Sequence, residues 1–179
     1  MKTAAIVIDM QRGLCSGPYA AWDIDRVTAN VNEIITHARR VGAPVILIQH
    51  EEAGGPLEYG TEGWEIYDGV TTDPSDLHLP KRACDSFHST QLHTFLEKQG
   101  VRRLVICGVQ TDFCVDTTVR RALSLGYDVT LVGDAHSTLD NGVLNAAQIV
   151  QHHNVVLGSL QNFGPRIEVM PTREVDFGA

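Results

Sequence analysis

Three side chains far apart in the chain, Asp9, Lys81 and Cys114, are of the types that together open a carbonyl group by covalent attack. Cys114 lies in ICGVQTDFCVDTTVRRAL, residues 106–123, where an apolar run breaks at a glycine, turns through Gln-Thr-Asp and resumes with helical spacing. Arg103–Val109 reads as a short buried strand and 115–125 as a helix, so the thiol is expected in the turn between them. Unpaired N–H groups and the positive end of a helix dipole favour thiolate over thiol, which predicts a Cys114 pKa below the reference of about 8.5. The same N–H groups are suited to an oxyanion forming on a substrate carbonyl. Cys107, inside the strand, reads instead as a small core residue. Asp9 ends the apolar run of TAAIVIDMQRG, and α/β sheets collect their chemistry at the C-terminal ends of strands. Lys81, in HLPKRACDSFHST, follows a proline in a long loop and precedes a helix expected to be capped near Asp85 or Ser86. A lysine beside an aspartate and a cysteine stabilises the thiolate while the carboxylate takes the thiol proton. Each residue alone is ordinary; the triple points to chemistry.

Holding such a triple together requires a regular scaffold. Strand patterns fall at Thr3–Ile8, 44–49, Arg103–Val109, 128–133 and Ile167–Met170, and helical patterns at 25–41, 87–99, 113–125 and from about 141 towards 160. This alternation predicts an α/β fold with a parallel sheet covered on both faces. The segment 51–80 is expected to be a long loop that builds the pocket. Within it, Trp64 and Tyr67 are candidates for aromatic walls, with a subunit interface or a cover for the sheet as alternatives. Phe113, beside the nucleophile, and Gln49, at a strand end near Asp9, are further candidates for substrate contact.

At 179 residues and 43% hydrophobic content, the chain is expected to form one domain, 1–179. Its net charge of −8 argues against nucleic acid and anionic membranes as partners and leaves a small-molecule substrate. Four cysteines without a CxxC pair, no leader-like apolar stretch and no long apolar span predict a cytoplasmic protein.

The residues resemble the isochorismatase-like cysteine hydrolases, which include nicotinamidases and N-carbamoylsarcosine, biuret and ureidoacrylate amidohydrolases, and the likeness covers nearly the whole chain. Asp9 in VIDMQ is similar to the family's catalytic aspartate, Lys81 in KRACDSF to its lysine, and Cys114 in GVQTDFCV to its nucleophile. The resemblance implies a three-layer α/β/α, Rossmann-like fold with six parallel strands ordered 3-2-1-4-5-6. It also implies a cis Val109–Gln110 peptide and an oxyanion hole from the N–H groups of Gln110 and Cys114. The implied reaction cleaves a C–N bond of a small amide, ureide or carbamoyl compound through a Cys114 thioester, with Asp9 as acid and base. Two other classes stay open: a catalytically idle binding protein on the same fold, and a thiol redox sensor with Cys84 as the second thiol. Nicotinamidases carry an Asp-x-His…His metal site after the second strand. Here that segment reads Gln49-His50-Glu51-Glu52 with the next histidine at 78, and His152 and His153 diverge on a helix, so no metal or other cofactor is expected. Family members commonly share pocket walls between subunits, which implies a homo-oligomer, a dimer or tetramer. Leu57, Trp64, Ile66, Tyr67, Val156, Leu157, Leu160 and Phe163 are expected to supply its apolar interface.

Overall fold

Every residue of Thr3–Ile8 is buried, as a parallel strand with a helical layer on each face must be. The computed structural model of the chain describes residues 1–178. Its strands are β1 (Thr3–Ile8), β2 (Val45–His50), β3 (Leu77–Lys81), β4 (Arg103–Val109), β5 (Asp128–Ser137) and β6 (Ile167–Met170). They form one parallel sheet in the order β3-β2-β1-β4-β5-β6. A single helical turn, α1 (Arg12–Cys15), follows β1, and α2 (Ile24–Arg40) packs Val27, Val31, Ile34, Ile35 and Ala38 against Ala5 and Val7. The alternate residues Ala4, Ile6 and Ile8 face the other way. There they meet Leu92 and Leu96 of α3 (Leu92–Gln99), Val119 and Leu123 of α4 (Asp116–Ser124) and Leu157 of α5 (Ala146–Gly158). The three layers follow from this period-two division of one apolar strand.

Several boundaries depart from the sequence-based expectation. β3 falls inside the segment expected to be a loop. Its Leu-His-Leu-Pro-Lys pattern is only half apolar, as suits an edge strand paired with β2 alone, and at an edge Pro80 forfeits no second ladder. α3 starts at Leu92 rather than 87, because Ser89 takes a positive φ of 55° that no helix accommodates. α5 begins only at Ala146, where Asn145 and Gln148 form a reciprocal capping box. The nucleophile turn is a π-helical turn, Thr111–Val115, leading directly into α4. Leu57 and Leu157, expected in a subunit interface, are buried within their own chain, whereas Phe163 is exposed.

Register brings the strand ends to one place. Ile8 lies opposite Ile48 of β2 and Gly108 of β4, and His50 lies opposite Lys81. The sheet order reverses between β1 and β4, the position where open α/β sheets leave a crevice. Gly108 allows the strands to close there. Its φ is +117°, and a Cβ would stand 2.1 Å from the Ile8 carbonyl oxygen and 2.6 Å from the Ile8 nitrogen.

Gly108→Ala is therefore expected to cost on the order of 2–4 kcal/mol in urea denaturation, since backbone must move to admit the methyl group. Gly126→Ala is the control: its φ is +92° but nothing lies within 4 Å of the added Cβ, so the conformational cost alone, about 1–2 kcal/mol, is expected. Equal losses for the two variants would show that the Gly108 contact relaxes freely.

Candidate active site

Asp9 is the first residue beyond β1 and adopts a positive φ of 50°, which aspartate tolerates better than most residues. Lys81 ends β3 and reaches it past the end of β2. The Lys81 Nζ lies 2.8 Å from Asp9 Oδ2, 3.1 Å from Cys114 Sγ, 3.1 Å from the Ala83 carbonyl oxygen and 3.2 Å from His50 Nδ1. The ionic side chains are 0% and 1% exposed. An ammonium has only protons to give, so His50 Nδ1 faces it as an acceptor and carries its own proton on Nε2.

The charges explain one another. Burial alone lowers the Lys81 pKa, but the Asp9 carboxylate and the Cys114 sulfur more than reverse that, and the ammonium stays charged. Cys114 departs from the expectation of a depressed pKa. Burial and then the Asp9 charge push its thiol up, and Lys81 only partly offsets them. A helix dipole lowers a thiol pKa most where the turn is open to water, whereas Cys114 is 9% exposed and its sulfur lies against a carboxylate. The resting site thus holds a thiol whose proton has Asp9 beside it. His50 is lowered by burial and by Lys81, with Asp9, Glu52 and Glu51 opposing. Cys15 and Cys107 are pushed up to about 12, chiefly by burial.

The turn that carries the sulfur is braced from below. Val109–Gln110 is a cis peptide; the Gln110 carbonyl accepts the N–H groups of Phe113 and Val115, and the Gln110 N–H meets no backbone carbonyl among the described residues. Thr111 Oγ1 lies 2.8 Å from His136 Nδ1, and His136 Nε2 lies 2.8 Å from Asn154 Oδ1. Asn154 Nδ2 donates to the Gly133 carbonyl, which turns its oxygen to His136, so Nε2 carries the proton and the Thr111 hydroxyl donates to Nδ1. On the opposite side Thr118 of α4 accepts the Ser86 N–H and donates to the Cys84 carbonyl, anchoring the turn that supplies Ala83 to Lys81. Gln11 ties β1 to β2 and to the long loop: its Nε2 donates to the carbonyls of His50 and Trp64, and its Oε1 accepts the His50 N–H. Gln11, Thr111, Thr118 and His136 are not among the residues expected from the sequence to build the site. Their one visible signal was polar residues inside or beside apolar runs.

A cavity of about 240 Å³ opens over the sulfur, lined by Asp9, His50, Glu52, Leu57, Gln110, Phe113 and Cys114 among others. Phe113, 53% exposed, thus stands at the pocket. Gln49, Trp64 and Tyr67 are not in its lining. Gln49 is buried, donating to the Trp64 carbonyl and facing His78, while Tyr67 packs against the core on the α2 face. Loop residues Glu52, Pro56 and Leu57 line the pocket of their own chain.

Asp9, His50 and Cys114 each offer one ligand atom, all within 4.8 Å of one another, a spacing that also suits a cation such as zinc. The Lys81 ammonium already lies within hydrogen-bonding distance of all three side chains. A metal ion there would need this buried amine to move or lose its proton.

Residues 3–162 match the family described as the isochorismatase domain. The chain is 36% identical over 138 residues to the streptothricin hydrolase of Streptomyces noursei, a match spanning 76% of this chain and 50% of that protein. It is 32% identical over 170 residues to the ureidoacrylate amidohydrolase RutB of Caulobacter vibrioides, across 74% of this chain and 76% of the relative. An isochorismatase crystal structure from Pseudomonas putida KT2440 superposes with a TM-score of 0.88 at 32% identity, covering 97% of this chain and 89% of that one.

Two expectations follow from the charges. Asp9→Asn removes the carboxylate that holds the proton on Cys114 and leaves Lys81 in place. Iodoacetamide at neutral pH should then alkylate Cys114 roughly tenfold faster than in the unaltered protein, scored by peptide mass spectrometry. An equal or slower rate would show that Asp9 does not hold the proton. Burial lowers His136 to about 4 from 6.5, so the fold favours its neutral ring. The resulting stability, on the order of 3 kcal/mol, is present above pH 6.5 and lost as pH falls to about 4. Urea midpoints should fall less across that window in His136→Gln.

Proposed function

The chain belongs to the isochorismatase family, and we propose that it is a cysteine hydrolase cleaving a C–N bond of a small amide, ureide or carbamoyl compound. One observation carries the reading: Cys114 Sγ, Lys81 Nζ and Asp9 Oδ2 converge beneath a pocket of about 240 Å³. Streptothricin hydrolase and ureidoacrylate amidohydrolase, by name hydrolases, support the same class.

In the proposed mechanism the Cys114 sulfur attacks the carbonyl carbon as its proton passes to Asp9, so no free thiolate is needed at rest. Lys81 stabilises the charge developing on sulfur before it is handed to the substrate oxygen. The N–H groups of Gln110 and Cys114 donate hydrogen bonds to that oxyanion, each contributing about 3 kcal/mol. As the tetrahedral intermediate collapses, the C–N bond breaks and Asp9 returns its proton to the leaving nitrogen. Water, deprotonated by Asp9, then adds to the thioester, and expulsion of the sulfur releases an acid and restores the thiol. Hydrolysis of a vinyl ether would need no such nucleophile.

The chemistry proposed uses neither a metal nor an organic cofactor. A homo-oligomer, dimer or tetramer, is proposed as the working form, with exposed Phe113 near the pocket as the residue a neighbouring subunit would cover. Four free cysteines suit a reducing cytoplasm.

A panel of small amides, ureas and carbamoyl compounds scored by ammonia release is the direct test. At least one should turn over, dialysis against a chelator should leave the rate unchanged, and Cys114→Ser should lower it by about a thousandfold or more. A fully active Cys114→Ser protein would rule out the thioester.

A further inference from the structure

The walls of the pocket are mostly apolar, contributed by Leu14, Pro56, Leu57, Cys84 and Phe113. Two charged side chains join them, Asp9 and Glu52, and both are acidic. The Asp9 charge is matched at 2.8 Å by Lys81. The Glu52 carboxylate has neither an ion pair nor a hydrogen bond among the described residues. Its neighbour Glu51 is different, engaging Arg82 at 3.3 Å beside a separate groove. Glu52 is also seated by the backbone beneath it. A Cβ on Gly55 would stand 2.2 Å from Glu52 Oε1 and 2.5 Å from Cδ, so the missing side chain of Gly55 is the space in which the carboxylate lies. Its field reaches into the site, where it opposes the lowering of His50.

We infer that this pocket selects its substrate by charge: it takes small carbonyl compounds bearing an amine or other cationic group, accepts neutral ones less well, and rejects those bearing a carboxylate, with Glu52 as the discriminating residue. Glu52 is exposed at the rim of these mostly apolar walls, and an uncompensated carboxylate there attracts cations and repels anions most strongly at low salt. An anionic substrate would require a cationic partner, and the pocket lining holds no arginine or free lysine. This inference rests on the amide-hydrolase reading for the reaction, though not for the charge selection itself.

The two are separable with methanethiosulfonates, which need only a pocket thiol. The sulfur of Cys114 attacks the sulfenyl sulfur, a mixed disulfide forms and methanesulfinate leaves. On the full chain carrying Cys84→Ser, Cys114 modification by the aminoethyl, methyl and sulfonatoethyl reagents is timed by mass spectrometry, each rate divided by that with a free thiol. The cationic reagent should exceed the anionic one by about tenfold at low salt, and the ratio should shrink as salt rises. Glu52→Gln should bring the ratio close to one, Glu52→Lys should invert it, and Glu58→Gln, an exposed acid of the same loop outside the lining, should leave it unchanged. A ratio near one in the parent, or one that Glu52→Gln does not move, overturns the inference. A matched trio of amides ending in ammonium, hydroxyl or carboxylate gives the second arm, scored by kcat/KM. Equal turnover of all three refutes the charge selection and upholds the hydrolase. No turnover of these or of any compound of the wider panel, with the reagent ratio intact, refutes the hydrolase and upholds the selection.

Discussion

A carboxylate and an ammonium almost without contact with water stand 2.8 Å apart where β1 and β3 end. Neither charge is tolerable there alone, since removing one member of a buried pair costs on the order of 3–5 kcal/mol. Much of the surrounding structure answers that constraint. The Ala83 carbonyl, His50 Nδ1 and Cys114 Sγ share the two protons of Lys81 that Asp9 leaves, so the ammonium has more acceptors around it than protons to give. The close approach of β1 and β4 at Gly108 brings the nucleophile turn to the same point. The sulfur therefore meets a proton acceptor and a counter-charge in one place, and its resting protonation is compatible with reactivity.

The braces around this pair share elements. α4 begins just after Cys114 and also carries Thr118, which holds the turn at Cys84 and Ser86 that follows Lys81. The lysine and the nucleophile are thus referred to one helix rather than to two independent loops. On the other flank β5 sends His136 under Thr111, and Asn154 of α5 fixes that imidazole. Gln11 does the equivalent for the long loop, joining it by backbone carbonyls to the end of β2. Side chains of α4, β5 and α5, with Gln11 between β1 and α1, hold the irregular segments, an arrangement suited to sub-ångström positioning.

Much of this was legible in the sequence, for identifiable reasons. β1, β2, β4 and α2 have uninterrupted apolar patterns, and their limits lie within a residue or two of those expected. Asp9, Lys81 and Cys114 stood out because each is a reactive residue at a boundary. β3 did not, because an edge strand with one neighbour needs only two or three apolar residues and tolerates Pro80. Trp64 and Tyr67 drew notice as aromatics on a Gly-rich loop, yet side-chain direction on an irregular segment depends on tertiary packing that no local pattern encodes. The upward shift of Cys114 is hidden from the local sequence for a similar reason. Exposure and the distance to Asp9 outweigh the local dipole, and both are properties of the assembled sheet.

Lys81 comes from the edge of the sheet, from a strand paired only with β2. Edge strands ordinarily fray first, in brief local openings that need not involve the rest of the molecule. Here such an opening would withdraw the ammonium and leave the Asp9 carboxylate stranded in the core. The electrostatic penalty falls on the opened state, so the ion pair works as a latch on the periphery of the sheet. Those amide protons of β3 that are bonded to β2 would then exchange with solvent nearly as slowly as those of its interior neighbours, and the least-supported strand would open only together with the core.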